Sequence, residues 1–324
     1  MTAITNATHS ALRPLPGVAK RVVTCLVACL TIVTLSQPSV AVANGNDDSY
    51  DRTISVRGDN GKIYNKQQSW RADPKNNPYG LSIVDKVQTR GSDTRSADFQ
   101  LNAMPDLNKF VNTNLQERVN YSGTSGRLID PANLQLTTDA EVRTYFVSEG
   151  AGYHNMLGFN VDSTGVDADT SRLIFPDASV PNAFLKGNPK AKRSRKTPVL
   201  PGDFVDLGTF SAGQQLDFFL IADDKKNNHP VYDANPATNP DGINHMVAFS
   251  YAIEDSPYLL IGFEDLFDGG DNDFNDLVFV VDVGAENVNA LVAAPEPGTI
   301  AAFATAGLAF YHRRRRQRVA DPAA

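Results

Sequence analysis

Cysteine, tryptophan and histidine are scarce: 2 Cys, 1 Trp and 5 His in 324 residues. Both cysteines, Cys25 and Cys29, lie within the first 43 residues. A chain without that segment has no disulfide scaffold, thiolate metal site or cysteine nucleophile. Between that segment and the C-terminal tail only His154, His229 and His245 remain. None is spaced as His-x-x-x-His or His-x-His, so there is no zinc signature. His154 and His245 read as structural hydrogen-bonding residues. There is no Gly-x-Ser-x-Gly nucleophile elbow. A glycine-rich βαβ unit is also missing, which argues against a nucleotide-binding fold.

Positive charge is scarce in the body. Of 30 basic and 37 acidic residues, the first 43 and last 30 positions hold 8 basic and 2 acidic ones. Residues 44–294 therefore keep 22 basic and 35 acidic residues, a net charge of −13. Such a body does not face phosphates, so general nucleic-acid binding is excluded. It attracts cations instead.

The two ends read as addresses. Lys20 and Arg21 precede the apolar run 22–35, and Pro38 and Ala41-Val42-Ala43 follow it. A basic flank, an apolar core of about 7–15 residues and a small-x-small site describe a secretory signal peptide, cut here after Ala43. No Arg-Arg pair precedes the core, which favours the general secretory route. At the other end stand Pro295-Glu296-Pro297-Gly298-Thr299, the apolar run 300–311, His312, and then Arg313, Arg314, Arg315 and Arg316. The run can enter a bilayer as a single helix, with the arginines holding its far end in the cytoplasm and the body outside. This order resembles the PEP-CTERM sorting signal of Gram-negative bacteria over roughly the last 30 residues. The resemblance implies an exosortase-type processing protease and a transient stage at the inner membrane. It further implies delivery to the cell surface or exopolysaccharide matrix. Residues 299–311 are shorter than the about 20 residues of a full span.

Between the ends, residues 44–100 are polar and read as partly disordered. One hairpin candidate, 53–57 with 62–65, surrounds Asp59-Asn60-Gly61. Arg57-Gly58-Asp59 and the sequon Asn120-Tyr121-Ser122 read as chance matches. Residues 101–288 read as the folded domain, its acidic-motif core spanning 142–283, and 289–324 as linker and tail. Leu107, Phe110, Val111, Leu115 and Val119 follow a helical stripe over 105–119, with Pro105 in the first turn. The segments 142–148, 156–161, 215–222, 245–253, 258–263 and 276–283 are rich in β-branched and aromatic residues, with turn residues between them. This pattern predicts an all-β domain: an antiparallel β-sandwich, jelly-roll-like, with one short amphipathic helix. The basic stretch 186–196 is a solvated loop or a grip on anionic polysaccharide.

The chemistry concentrates in the turn from Glu264 to Asp276. Glu264, Asp265, Asp268, Asp271, Asp273 and Asp276 place six carboxylates within 13 residues. Oxygen-rich sites without sulfur or imidazole suit hard cations, and Ca²⁺ takes 6–8 oxygens. Asp271-x-Asp273-x-Asn275 matches the start of an EF-hand loop. Asp276 stands where that loop needs glycine, and Asp282, in a strand pattern, where it needs glutamate, so a helix–loop–helix hand is rejected. The same oxygens could instead be gathered around Ca²⁺ by a β-turn, with Glu264, Asp265, Asp271, Asp273, Asn275 and Asp276 as the ligand set. Asp223-Asp224 could join it in space. The other reading is a solvated hairpin whose Asp and Asn side chains cap backbone amides.

Gly262-Phe263-Glu264-Asp265-Leu266 followed by Asp271-x-Asp273-Phe274-Asn275-Asp276 resembles the domain-of-unknown-function family numbered 4114. The stretches from Glu149 to Phe159 and Asn244-His245 are similar to other recurring parts of that family. The resemblance spans 142–283 and implies a β-rich extracellular domain, but no reaction. Together these features predict an exported, non-enzymatic surface or matrix protein with a calcium-stabilised β-domain. The alternative is a carbohydrate-binding module of the extracellular matrix.

Overall fold

A computed structural model of the chain describes residues 74–293, apart from 117, 120–126, 164, 179–198, 224 and 251–254. The expected signal peptide, the hairpin at 53–65, the basic loop 186–196 and the sorting tail lie outside the described residues. Among the described residues no helix is long and apolar enough to cross a membrane.

The strands in chain order are β1 (Ser82–Ile83), β2 (Arg127–Ile129), β3 (Ala140–Ser148), β4 (Met156–Val161) and β5 (Arg172–Phe175). Then come β6 (Phe204–Phe210), β7 (Leu216–Ile221), β8 (Val231–Asp233), β9 (Met246–Ser250), β10 (Tyr258–Phe263) and β11 (Leu277–Asp282). They form a six-stranded sheet, β2-β9-β10-β11-β3-β6, and a five-stranded sheet, β1-β5-β4-β7-β8. Pairing is antiparallel except for the short β1–β5 pair. The expected all-β sandwich is therefore present.

The central strands lack polar alternation because both of their faces are buried. In β11, Leu277, Phe279 and Val281 join the cluster between the sheets, with Phe146, Phe218 and Phe263. Val278 and Val280 point the other way, into a cluster with Tyr145, Phe249 and Leu260 that a helix covers. All six residues of β11 are buried. Two apolar layers thus share one strand, which fixes its register on both sides.

The covering helix differs from the expected one in both its start and its end. The helix α1 (Thr94–Asp98) passes through a π-helical turn, Phe99–Ala103, into α2 (Met104–Asn114). It begins with a capping box in which the Asp93 side chain accepts from the Ser96 amide, 2.7 Å, and Ser96 Oγ accepts from the Asp93 amide, 3.2 Å. Pro105 therefore lies inside the helical run rather than at its start. Proline offers no N–H to the preceding turn and its ring crowds it. The wider π-turn, in which the Met104 amide donates to the Phe99 carbonyl, absorbs that break. The helix stops at Asn114; Leu115 has φ −114° and ψ 68°, and Val119 is half exposed instead of extending the stripe.

Side chains from the N-terminal part of this helix tie it to the sheet. Phe99 stacks on Tyr145 with ring centroids 3.9 Å apart. Arg95 reaches Asp282 at 2.7 Å. Arg143, buried on β3, pairs with Asp206 at 2.6 Å and with Asp93 at 2.9 Å, and its guanidinium lies 4.0 Å from the Phe204 ring centre. Leu81 and Phe99 are completely buried, so part of the region read as polar and loose takes part in the core. A further helix, α3 (Ala285–Ala293), contributes Val288 and Leu291 to the inter-sheet cluster.

Candidate metal centre

β10 and β11 pair with Phe263 opposite Leu277, so residues 264–276 are the loop that joins two central strands. The loop lies at one end of the six-stranded sheet. The chain leaving β3 touches it there, the Gly150 amide donating to the Asn275 carbonyl at 3.0 Å. The chain entering β9 touches it too, the Glu264 amide donating to the His245 carbonyl at 3.0 Å. Gly262 is required by close approach: a Cβ there would collide with the Phe274 carbonyl. The loop reverses through left-handed residues, Asp268 (φ 63°), Gly269 (74°), Gly270 (48°), Asn272 (54°) and Phe274 (55°). Asp and Asn tolerate that region. A phenylalanine there costs on the order of 1–3 kcal/mol. Phe274 is held because its ring is buried in the helix-side cluster with Leu115 and Val111.

Glu264 is the centre of the site. It is 0% exposed, and no N–H or hydroxyl group donates to either of its carboxylate oxygens; the one group that can share a proton with it is the Asp276 carboxyl. An ionised carboxylate buried without donors is strongly unfavourable unless a cation neutralises it. Its nearest polar company is more negative charge. Oxygens of Glu264, Asp265 and Asp276 lie within 4.8 Å of one another, and so do oxygens of Glu264, Asp271 and Asp273. Two oxygens on one Ca²⁺ can be at most about 5.2 Å apart, twice the longest Ca–O distance. Both groups therefore meet the spacing that a shared Ca²⁺ demands.

The surroundings hold these carboxylates in place. Asn155 Nδ2 donates to Asp265 Oδ2 at 2.7 Å, and the Asp265 amide donates to Asp276 Oδ2 at 2.9 Å. Asp273 accepts from the Arg118 amide at 2.8 Å and from the Asn275 amide at 3.0 Å. His245 is completely buried and stacks on Tyr232, ring centroids 3.9 Å apart. Its Nδ1 faces the Glu264 carbonyl at 3.0 Å and its Nε2 faces Asp241 Oδ2 at 2.8 Å. Asp241 also accepts from the Asp268 amide at 2.8 Å. This chain of contacts clamps the loop backbone while Leu266 and Phe267 stand exposed at its tip.

Electrostatics follow from that crowding. Burial, then the Asp265 and Glu264 charges, pushes the Asp276 carboxyl far above its ordinary value. Burial also raises Glu264; the Asp271, Asp273 and Asp265 charges add to this, and a hydrogen bond with Asp276 offsets part of it. That bond can exist only when one of the two carboxyls carries a proton.

The five acidic residues of the expected ligand set gather into two groups that share Glu264. Asn275, the sixth, is buried beside them with its Oδ1 lacking a donor, and a Cβ on Gly150 would collide with that oxygen. Asp282, the residue at the EF-hand's last position, lies at the far end of β11 and pairs with Arg95. Asp223 stands one residue away from the site: its amide approaches Asn155 Oδ1 at 3.4 Å, and its carboxylate faces His229 at 3.4 Å. Asp224 lies outside the described residues. His154 pairs with buried Asp177 at 3.2 Å. Sequence reasoning had not assigned Asn155, Asp241 or the Arg118 amide to the site. Asn155 lies within the stretch singled out for its family resemblance; the backbone amide of Arg118 leaves no mark in a sequence.

Fold and site together define an all-β sandwich with a clamped acidic loop between two central strands. A family model, "Domain of unknown function (DUF4114)", matches residues 210–284, from the end of β6 through β11, including the whole acidic loop. Residues 149–159 precede that match. No curated protein and no solved structure matches the chain.

Proposed function

We propose that the chain is an exported, non-enzymatic protein of the cell surface or exopolysaccharide matrix, whose β-domain is completed by Ca²⁺ bound in the 264–276 loop. The observation that carries the calcium part is Glu264: fully buried, without an N–H or hydroxyl donor, and surrounded by four further carboxylates. Glu264, Asp265, Asp271, Asp273 and Asp276 would hold the ion, with Asn275 beside them. The ion would supply positive charge and a fixed geometry for the loop, and so stabilise the folded state by binding it alone. Extracellular sites of this kind work at Ca²⁺ dissociation constants of about 10⁻⁴–10⁻³ M, matched to calcium levels outside cells.

The export part rests on the two ends of the sequence. Ala41 and Ala43 would mark signal cleavage. Pro295, Glu296, Pro297 and Arg313 to Arg316 would direct an exosortase-type protease to the tail after a transient stage in the inner membrane.

One experiment in the host bacterium addresses both parts. The tagged protein is expected in the extracellular matrix fraction without its tail, and resistant to added protease in calcium but cut in EDTA. Replacing Arg313, Arg314, Arg315 and Arg316 by Ala should leave uncut precursor in the membrane fraction. A full-length, cytoplasmic wild-type protein would overturn the export reading. Equal protease resistance in calcium and EDTA would overturn the calcium reading.

A further inference from the structure

We infer that the loop holds two divalent cations bridged by Glu264, an inference that rests on the calcium reading above. The five carboxylates do not close into one group. Among the described residues, Asp265 and Asp276 gather with Glu264, while Asp271 and Asp273 gather with it separately. Glu264 is the only member common to both. A carboxylate has two oxygens and about four lone-pair directions, so it can serve two ions at once. Both oxygens of Glu264 are buried and neither accepts from an N–H or hydroxyl group. One of them lies against Gly270, where a Cβ would collide with Oε1, so the glycine leaves room for the carboxylate on the Asp271 side of the loop.

Charge gives a second, independent argument. Once a cation displaces the proton shared by Glu264 and Asp276, the five carboxylates carry −5. One Ca²⁺ leaves −3 in a site where Glu264, Asp265 and Asp273 are at most 3% exposed. Two leave −1, a residue of charge that the surrounding amide donors can balance. Buried like charge is tolerated only when it is nearly neutralised.

Each triad also has its own support. The first is fixed by Asn155 and the Asp265 amide, the second by the Arg118 and Asn275 amides. Each could therefore be weakened without dismantling the other.

The test is a Ca²⁺ titration of the full chain by calorimetry, with stoichiometry checked by native mass spectrometry. The wild type is expected to bind two ions. Asp276→Asn should keep one ion, and so should the double variant Asp271→Asn, Asp273→Asn. Glu264→Gln should lose both from the titration. These are near-isosteric changes, and circular dichroism in EDTA shows whether each variant folds. The wild-type count decides the matter even if a variant does not. A single ion in the wild type would overturn the two-ion inference while leaving the calcium reading intact. No ion at all would overturn both. Two ions with one surviving unchanged in folded Glu264→Gln would overturn the bridge.

Discussion

Glu264→Gln is expected to raise the melting temperature of the metal-free protein and to abolish the rise that calcium produces. The two effects have opposite signs and one cause. In the metal-free state Glu264 is a buried acid whose oxygens receive no N–H or hydroxyl donor and whose one proton-sharing neighbour is another carboxyl, Asp276. Leaving a buried polar group unsatisfied costs about 1–3 kcal/mol, and more when it is charged. Glutamine keeps the volume, removes the charge, and can donate to a neighbouring carboxylate such as Asp276. One kcal/mol corresponds to about 2–4 °C in a domain of roughly 150–250 residues, so the gain should be several degrees. With calcium the order reverses. At a hundred times the dissociation constant, binding stabilises the wild type by about 2.7 kcal/mol, and the variant has lost the ligand common to both acidic groups. Thermal melts in EDTA and in millimolar calcium decide this. A variant less stable than wild type in EDTA, yet still stabilised by calcium, would sink it.

The second large effect is in the pH dependence. Glu264 rises from 4.5 to about 7 in the fold, with burial the largest cause, and Asp276 rises with it. A carboxyl whose pKa is higher folded than unfolded stabilises the protein fully below its unfolded pKa. That contribution disappears as pH rises through the folded pKa. The metal-free protein should therefore melt at higher temperature at pH 5.5 than at pH 8. Asp93 and Asp241 are shifted the other way, each below an ordinary value of 3.8. Their contributions fall away only in stronger acid, so they do not obscure this window. Calcium competes with the protons on Glu264 and Asp276, so its stabilising effect should be greatest at pH 8 and shrink towards pH 5.5. Melts over that range, in EDTA and in calcium, test both halves. A metal-free melting temperature that is flat or falls on acidification would contradict the burial of ionised Glu264.

The strands legible in the sequence were those with long apolar or β-branched runs. The segments 156–161 and 258–263 coincide with β4 and β10, and 142–148, 215–222 and 276–283 differ from β3, β7 and β11 by one or two residues at an end. These strands lie inside the sheets, where burial writes a continuous signal. β1, β2, β5 and β8 were not legible because each has four residues or fewer. β6, an edge strand, carries Asp206 and Gly208, which break its pattern. The early helix start was hidden because Pro105 looks like a first-turn residue, and only the π-turn before it shows how the helix runs through.

The acidic loop was legible because its carboxylates are local in sequence. What holds them is not. Asn155 contacts Asp265 across 110 positions, and Arg118 contacts Asp273 across 155. The split of the carboxylates into two groups around Glu264 exists only in the folded loop, which reverses through positive-φ residues at 268–270. Six carboxylates within 13 residues of sequence do not show that separation.

The most direct measurement is a thermal melt of the purified protein in EDTA, Mg²⁺ and Ca²⁺, beside the double variant Asp271→Ala, Asp273→Ala. Calcium is expected to raise the wild-type melting temperature by several degrees in a saturable way. Magnesium, which prefers rigid octahedral sites at about 2.0–2.1 Å, should do so less. The double variant should show a clearly smaller rise. A wild-type melting temperature unchanged at millimolar calcium would contradict a metal centre, and the acidic loop would then be a hairpin held by its amide caps and by protons on its buried carboxyls.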